Sequence, residues 1–185
     1  MVKFGVLVTS MRRMLVAFPI LLLIAGCAPS ARVSSPPGFV LPEQEVMFVA
    51  PFISTLVPEA VSGPVFDDFV DILNARQSVP GVKFFSIIKD DLSELDSEWL
   101  AKNAYITGEL WSYIENSGCC STELRIKARI SVHRPGENET LDIFVPLEGF
   151  FEHDRSTIEV ERARLARRLA SELANRLISS LASPI

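Results

Sequence analysis

The sequence has few of the residues that carry most enzyme chemistry. Among its 185 residues are two histidines and three cysteines, and it lacks a Ser-His-Asp order, a glycine-rich phosphate loop and cysteines at metal-ligand spacing. His133 and His153 could together form a metal or catalytic site, but separate surface histidines are the simpler interpretation. Glu152 and Asp154 flank His153 in a segment typical of a solvated loop. We therefore predict that the protein is not an enzyme and holds no cofactor or metal.

A surplus of positive charge is also missing. The first 26 residues contain Lys3, Arg12 and Arg13 and no acidic residue. The rest of the chain therefore carries 15 of the 18 basic residues and all 23 acidic ones, which gives it a net charge of −8. Nucleic-acid binders normally carry a basic surplus. This net negative charge argues against nucleic acid as a partner. It also indicates that the folded part of the chain does not bind anionic membranes through its charge.

No apolar run is long enough for a permanent membrane-spanning helix. The longest covers residues 14–26 and contains Pro19, whereas a spanning helix needs about 20 apolar residues. Arg12 and Arg13 stand directly before it. A basic start, a short apolar run and small residues at its end are typical of a secretory signal peptide.

The end of that run, Ile-Ala-Gly-Cys at residues 24–27, resembles the lipobox of bacterial lipoproteins. The resemblance implies that residues 1–26 are a lipoprotein signal peptide, that the chain is cut between Gly26 and Cys27, and that Cys27 is acylated. Several acyl chains on one residue would anchor the protein firmly to a membrane. The alternatives are a buried cysteine at the end of an apolar helix and a secretory signal without lipid.

The residues around this motif bear on location and on the start of translation. Ala28, rather than Asp, follows the cysteine, which resembles the outer-membrane default of Gram-negative lipoproteins, so we expect an outer-membrane lipoprotein that faces the periplasm. Met11, directly before the two arginines, is a second plausible start and would give a compact signal.

Residues 27–44 are expected to be the lipidated cysteine and a flexible tether. Residues 28–44 are rich in Pro, Ser and Ala, a composition typical of linkers. The alternative is that the segment packs on the domain as irregular structure, with Phe39, Val40 and Leu41 docked.

Residues 45–182 are predicted to form one α+β domain. The element order β-α-β-α-β-β-β-α indicates a mostly antiparallel sheet with helices on one face and a long C-terminal helix. The expected strands cover residues 45–52, 82–88, 104–115, 122–133 and 140–150, and the expected helices cover about 65–77, 92–102 and 158–181.

Two periodicities carry this prediction. Over residues 122–133, apolar side chains alternate with charged ones, which is the pattern of a half-buried antiparallel strand. Over residues 158–181, leucines recur every fourth residue and predict an apolar helix face; they are Leu165, Leu169, Leu173, Leu177 and Leu181.

This element order behind a lipobox resembles a loose group of bacterial envelope lipoproteins. The group includes the curli-secretion lipoprotein type, the amino-terminal domain of the Tol-system periplasmic protein and lipoprotein activators of penicillin-binding proteins. The resemblance rests on "VMFVAPF", on "AYITGELWSYIE" with Ala104, Ile106 and Gly108, and on the terminal helix. The residues after the first strand, Ile53 and Ser54, depart from the usual Asn or Gly. The resemblance implies a non-enzymatic role beside another envelope protein.

Cys119 and Cys120 remain to be explained once Cys27 is assigned to the lipid. They are adjacent in the turn "NSGCCS", and thiols in an exported protein tend to be paired. A vicinal disulfide is one possibility. Free or intermolecular thiols and a metal or redox role are the alternatives.

The basic row Arg125, Lys127 and Arg129 has two interpretations. It could bind a partner, or it could be a solvated sheet face paired with Glu109 and Glu115 on the neighbouring strand, as cross-strand pairs commonly are. We favour the second.

These observations lead to one main hypothesis about function. The protein is expected to be a membrane-anchored, periplasm-facing lipoprotein that serves another envelope protein of unknown identity as an accessory or assembly factor. A module that binds lipid or another apolar ligand between sheet and terminal helix, and a subunit of a secretion-type oligomer, are the alternatives.

Overall fold

The structure is a computed structural model of the full chain and describes residues 30–76, 79, 81–90 and 92–182. The predicted signal peptide and Cys27 lie outside these residues. The described elements are β1 (Arg32–Ser34), β2 (Gln44–Val49), β3 (Ile53–Ser54), α1 (Glu59–Ala75), β4 (Val82–Ile87), a 3₁₀ turn (Leu92–Glu94), α2 (Ser97–Lys102), β5 (Tyr105–Ser117), β6 (Ser121–His133), β7 (Thr140–Glu152) and α3 (Ile158–Ala182). No helix among the described residues is both long and apolar enough to cross a membrane.

The strands form one open sheet in the order β1-β7-β6-β5-β2-β4, with β3 beside β5. The long strands β5, β6 and β7 form an antiparallel meander, and β1 is antiparallel to β7. Strand β2 runs parallel to both β4 and β5. The predicted α+β class with a long C-terminal helix is confirmed, and the meander is its largest part.

Two crossovers set the positions of the helices. The connection through α1 moves from β2 to β4, and the connection through α2 moves back across β2 to β5. Because such crossovers are right-handed, α1 and α2 lie on opposite faces of the sheet. The predicted placement of the helices on one face therefore holds for α1 and α3 but is wrong for the short helix α2. Trp99 of α2 contacts Phe48 with ring centroids 4.8 Å apart, and Phe48 alternates with the fully buried Met47 and Val49. We call the side covered by α1 and α3 the helix face and the other side the outer face.

The core fills the space between the meander and the two long helices. On β6 the predicted alternation holds, with every inward-facing residue at most 2% exposed: Thr122, Leu124, Ile126, Ala128, Ile130 and Val132. Leu169 and Leu173 of α3 are fully buried, and full burial of such a side chain contributes roughly 1.5–3 kcal/mol. The intervening small residues Ala166, Ala170 and Ala174 are also fully buried.

Helix α1 begins six residues before the predicted start at residue 65, and Pro64 lies inside it. A proline at this point cannot donate a helical hydrogen bond, which is why the sequence suggested a start after it. Val61 and Val65 are both fully buried. Their burial offsets the lost hydrogen bond, so the helix extends back to Glu59.

A flexible tether was the prediction for residues 28–44; from residue 30 onwards, where the structure describes it, the segment is docked on the domain. Strand β1 pairs with β7, with Arg32 opposite Phe144. Phe39 is only 6% exposed, and the guanidinium of Arg134 lies 4.4 Å from its ring centroid. The open edge of β7 offers unpaired backbone groups, and the apolar segment has side chains to bury. The alternative of a docked segment describes the structure, although Val40 remains 60% exposed.

Candidate functional site

Gly26 and Cys27, the predicted cleavage and lipidation residues, lie outside the described residues. Their distance from the domain is still limited by the chain. Ala31 already packs against the core, and it is four residues after Cys27 in the sequence. An extended chain covers at most about 3.6 Å per residue, so Cys27 lies within about 14 Å of Ala31.

Cys119 and Cys120 lie at the exposed tip of the β5–β6 hairpin. Their Sγ atoms are 3.1 Å apart, whereas a disulfide bond needs about 2.05 Å, so the structure holds two thiols. The hydrogen bond to Cys119 raises the pKa of the Cys120 thiol. No cluster of three or more His, Cys, Asp or Glu residues in the described part of the chain could hold a metal. The vicinal disulfide stays a prediction.

The two histidines lie at opposite ends of the meander. His133 pairs with Thr140 at one end of β6 and β7. At the other end, the backbone N–H of His153 donates to the Cys120 carbonyl oxygen (2.9 Å). The ring nitrogen Nε2 of His153 lies 2.8 Å from Thr122 Oγ1. A strand of this length spans about 40 Å. The structure therefore excludes a joint two-histidine site.

A half-open groove of about 330 Å³ lies on the outer face beside His133. The rings of Tyr105 and His133 stack at its floor, with centroids 4.3 Å apart and planes within 6°. Thr107 Oγ1 lies 3.1 Å from His133 Nε2. Leu92 and Leu100, from the 3₁₀ turn and α2, line the groove from the side. The groove combines apolar walls with hydroxyl and imidazole groups.

Burial favours the neutral forms of the two stacked rings. Burial lowers the pKa of His133, and Asp142 opposes that shift with a smaller effect. Burial raises the pKa of the Tyr105 hydroxyl. The Arg129 guanidinium, which also lines the groove, donates to Glu109 Oε2 at 2.8 Å. The groove can therefore stack against a ligand and form hydrogen bonds with it.

The basic row on β6 is largely paired, as predicted, although one partner differs. Arg129 pairs with Glu109 as expected (2.8 Å). Arg125 pairs with Glu123 of its own strand (2.6 Å) and approaches Glu148 of β7 (3.7 Å). These pairs are exposed, and such pairs contribute little to stability. The row is a solvated sheet face.

Glu115, the second predicted partner of that row, points to the helix face instead. It accepts a hydrogen bond from Arg162 of α3 at 2.7 Å. The cause is an irregularity between Trp111 and Ile114, where the register of β5 shifts by one residue. Ser112 there has a φ of 58°, which is typical of a bulge that redirects side chains.

Sequence reasoning missed the contact of Phe39 with Arg134 and the stacking of Tyr105 on His133. Counting outwards from the hairpin turn does not give the second, because the turn pairs Ser117 with Thr122. Only the one-residue register shift between Trp111 and Ile114 brings Tyr105 opposite His133. The first joins residues from distant parts of the chain, and no local pattern predicts it.

The fold resembles that of proteins with solved structures. No protein-family model matches the chain, and no curated protein has significant sequence similarity to it. A PelC variant from Paraburkholderia phytofirmans, described as a dodecamer, matches with a TM-score of 0.51 and 14% identity over 78% of this chain and 98% of that chain. Lipoprotein GNA1162 from Neisseria meningitidis matches with a TM-score of 0.43 and 11% identity over 74% and 100%. The rare lipoprotein B from Shewanella oneidensis gives 0.37 and 14% over 72% and 93%.

The likeness to PelC concerns the fold alone. At 14% identity, the similarity to PelC shows a shared α+β fold and nothing more specific. Several of the similar structures are bacterial lipoproteins. Their TM-scores lie below 0.5, so these matches carry no argument about function.

Proposed function

We propose that the chain is a non-enzymatic envelope lipoprotein, anchored by acyl chains on Cys27. Its domain faces the periplasm and acts as an accessory or assembly factor for another envelope protein. The observation that carries this proposal is the lipobox-like sequence at residues 24–27, directly before a segment that packs on a folded domain. With His133 and His153 at opposite ends of the meander, the joint two-histidine site considered in the sequence does not form.

The chemistry of the amino terminus tests the anchor. The protein is produced in a Gram-negative host with radiolabelled palmitate, and the membrane-bound form is analysed by mass spectrometry. We expect a chain that begins at Cys27 and carries lipid. Cys27→Ala should abolish labelling and leave residues 1–26 uncleaved, because the acylated thiol is gone. Cys119→Ala with Cys120→Ala is the matched control and should label normally. Equal labelling of the Cys27→Ala variant would refute the anchor.

The location and accessory role need separate measurements. Separation of inner and outer membranes should place the lipidated protein with the outer membrane, as Ala28 after the cysteine suggests. Chemical cross-linking in intact cells, followed by capture of the lipidated protein, should recover an envelope protein in a fixed stoichiometry. Recovery with the inner membrane, or no stoichiometric partner, would count against the corresponding part of the proposal.

A second candidate function is a subunit of a ring-like or secretion-type oligomer. The PelC structure that shares this fold is described as a dodecamer, and this chain exposes Phe84 (48%) and Ile87 (44%) on the edge strand β4. Light scattering after size exclusion of the protein without lipid would show a fixed multiple of the monomer mass. A monomer at all concentrations would remove this candidate.

A carrier of lipid or another apolar ligand is the weaker alternative. Its ligand would bind between the sheet and the terminal helix. There the side chains of Ile130, Leu169 and Leu173 are fully buried, and the groove described above lies on the other side of the sheet.

A further inference from the structure

The chain leaves the domain in a defined direction. Strand β1 is antiparallel to β7, with Ser34 opposite Asp142 and Arg32 opposite Phe144. Moving towards the amino terminus along β1 therefore means moving along β7 towards Phe150. The residues before β1 emerge at this edge and point to the hairpin-tip half of the sheet.

The remaining length of chain limits how far the domain can stand from an anchored Cys27. Cys27 is five residues before Arg32, and five residues extend at most about 18 Å. Phe150 lies six residues beyond Phe144 on β7, about 20 Å along the strand. A segment that continued the line of β1 would therefore end level with Phe150. In any direction, the edge at Arg32 stays within about 18 Å of the surface to which Cys27 is attached.

The outer face at this position carries two large exposed apolar side chains. Phe150 is 67% exposed and Ile114 is 47% exposed. In the register of the meander, Ile114 lies opposite Arg125, Arg125 lies opposite Glu148, and Phe150 lies opposite Glu123. By strand spacing, Ile114 and Phe150 are about 12 Å apart. We refer to these five residues as the anchor-side patch.

The charges of the anchor-side patch neither attract nor strongly repel a lipid surface. Arg125 is paired with Glu123 at 2.6 Å and approaches Glu148 at 3.7 Å, which leaves a net charge of about −1 if all three are ionised. Attraction to anionic lipids requires clustered basic residues. What can hold the patch on lipid is the short chain, together with insertion of Phe150 and Ile114 into the headgroup layer.

The other apolar edge of the sheet is too far away to compete. Phe84 and Ile87 lie on β4, five strand spacings from β1, about 24 Å across the sheet. A domain standing on its β4 edge would hold Arg32 about 24 Å above the surface, which exceeds the reach of the segment between Arg32 and Cys27. Anchoring at Cys27 therefore excludes a domain that stands on its β4 edge.

We propose that the anchor-side patch rests directly on the lipid headgroups, held there by the short segment between Cys27 and Ala31, with the β4 edge turned away from the membrane. This rests on the proposed anchoring at Cys27. The domain would then have a fixed orientation on the bilayer, instead of standing away from it on a flexible tether.

Site-specific fluorescence on the lipidated protein tests the orientation. In a background with Cys119→Ser and Cys120→Ser, single cysteines are introduced as Phe150→Cys, Ile114→Cys or Phe84→Cys and labelled with an environment-sensitive dye. The protein is placed in vesicles of phosphatidylethanolamine and phosphatidylglycerol, some bearing a nitroxide quencher on the headgroup. We expect the labels at 150 and 114 to be quenched several-fold more than the label at 84, with no change when salt is raised.

Flotation of the same samples separates the two proposals. Vesicle-bound protein whose labels at 150 and 114 are quenched no more than the label at 84 would overturn the orientation and leave the anchor intact. Protein that carries no lipid and does not float would overturn both, since the orientation depends on the anchor.

A longer segment tests the reason for the orientation. About 20 Gly and Ser residues inserted after Ala28 add roughly 25 Å of average reach. We expect flotation to be unchanged and quenching at 150 and 114 to fall to the level at 84. Unchanged quenching would show that the short chain does not hold the patch on the membrane, and would overturn the proposal.

Discussion

The two edges of the sheet are protected in different ways. At one edge, the three residues of β1 cover part of β7 with main-chain pairing. At the other edge, the side chain of Asn74 binds the backbone of β4. Asn74 Nδ2 donates to the Phe85 carbonyl oxygen (3.1 Å), and Asn74 Oδ1 accepts from the Phe85 N–H (2.9 Å). Unprotected edges recruit other chains. The N-terminal segment is therefore a structural part of the domain, and the β4 edge is the easier one to open.

The largest expected effect comes from undocking the N-terminal segment. Phe39→Ala should lower the free energy of unfolding by about 3–5 kcal/mol, because a buried aromatic ring is lost and the guanidinium of Arg134 loses its stacking partner. Val40→Ala, at a position 60% exposed, is the matched control and should change it by less than about 0.5 kcal/mol. Chemical denaturation measures both. Equal stabilities would mean that the segment does not contribute to the fold.

A smaller effect is expected at the opposite edge. Asn74→Ala should lower the free energy of unfolding by about 1–2 kcal/mol, because two hydrogen bonds to Phe85 are lost. The freed backbone groups should also promote self-association through β4. Denaturation and light scattering measure the two effects, and Asp71→Ala, an exposed position one turn earlier on α1, serves as the control. An unchanged mass would show that Asn74 does not protect this edge.

Acid should lower the free energy of unfolding of the whole sheet, both edges included, because His133 lies on β6 in the middle of it. Its pKa is lowered by burial, whereas in the unfolded chain it is about 6.5. As the pH falls below about 6.5, the unfolded chain binds a proton first, so the free energy of unfolding decreases; above about pH 7 this contribution is constant. Denaturation across this range should show the slope, and His133→Gln should reduce it. A slope unchanged by the substitution would assign it to other groups.

The smallest effect is expected for the ion pair at the β4 edge. Lys83 Nζ lies 2.9 Å from Glu45 Oε1, but both side chains are at least 70% exposed. Lys83→Ala should leave the unfolding midpoint and the mass unchanged, since exposed pairs contribute little. A clear loss of stability, or self-association like that expected for Asn74→Ala, would show that charge as well as Asn74 protects this edge.

Local periodicity predicted the parts of the fold that local packing determines. The alternation of β6 and the leucine spacing of α3 gave the meander and the long helix, because each buries one regular face. Features that depend on distant contacts were missed. The pairing of β1 with β7, the extension of α1 through Pro64 and the link between Glu115 and Arg162 each depend on a partner far along the chain. Lipidation at Cys27 remains a prediction from sequence.

The geometry of β1 also has a mechanical consequence. A pull on Arg32 along the axis of β1 would act at right angles to the hydrogen bonds that join β1 to β7. The bonds of this short ladder are then loaded in shear, all at once, rather than opened one after another. Phe39, held beneath Arg134, follows as a second attachment that the same force must break. Tension in that direction would thus pass into the sheet through both attachments.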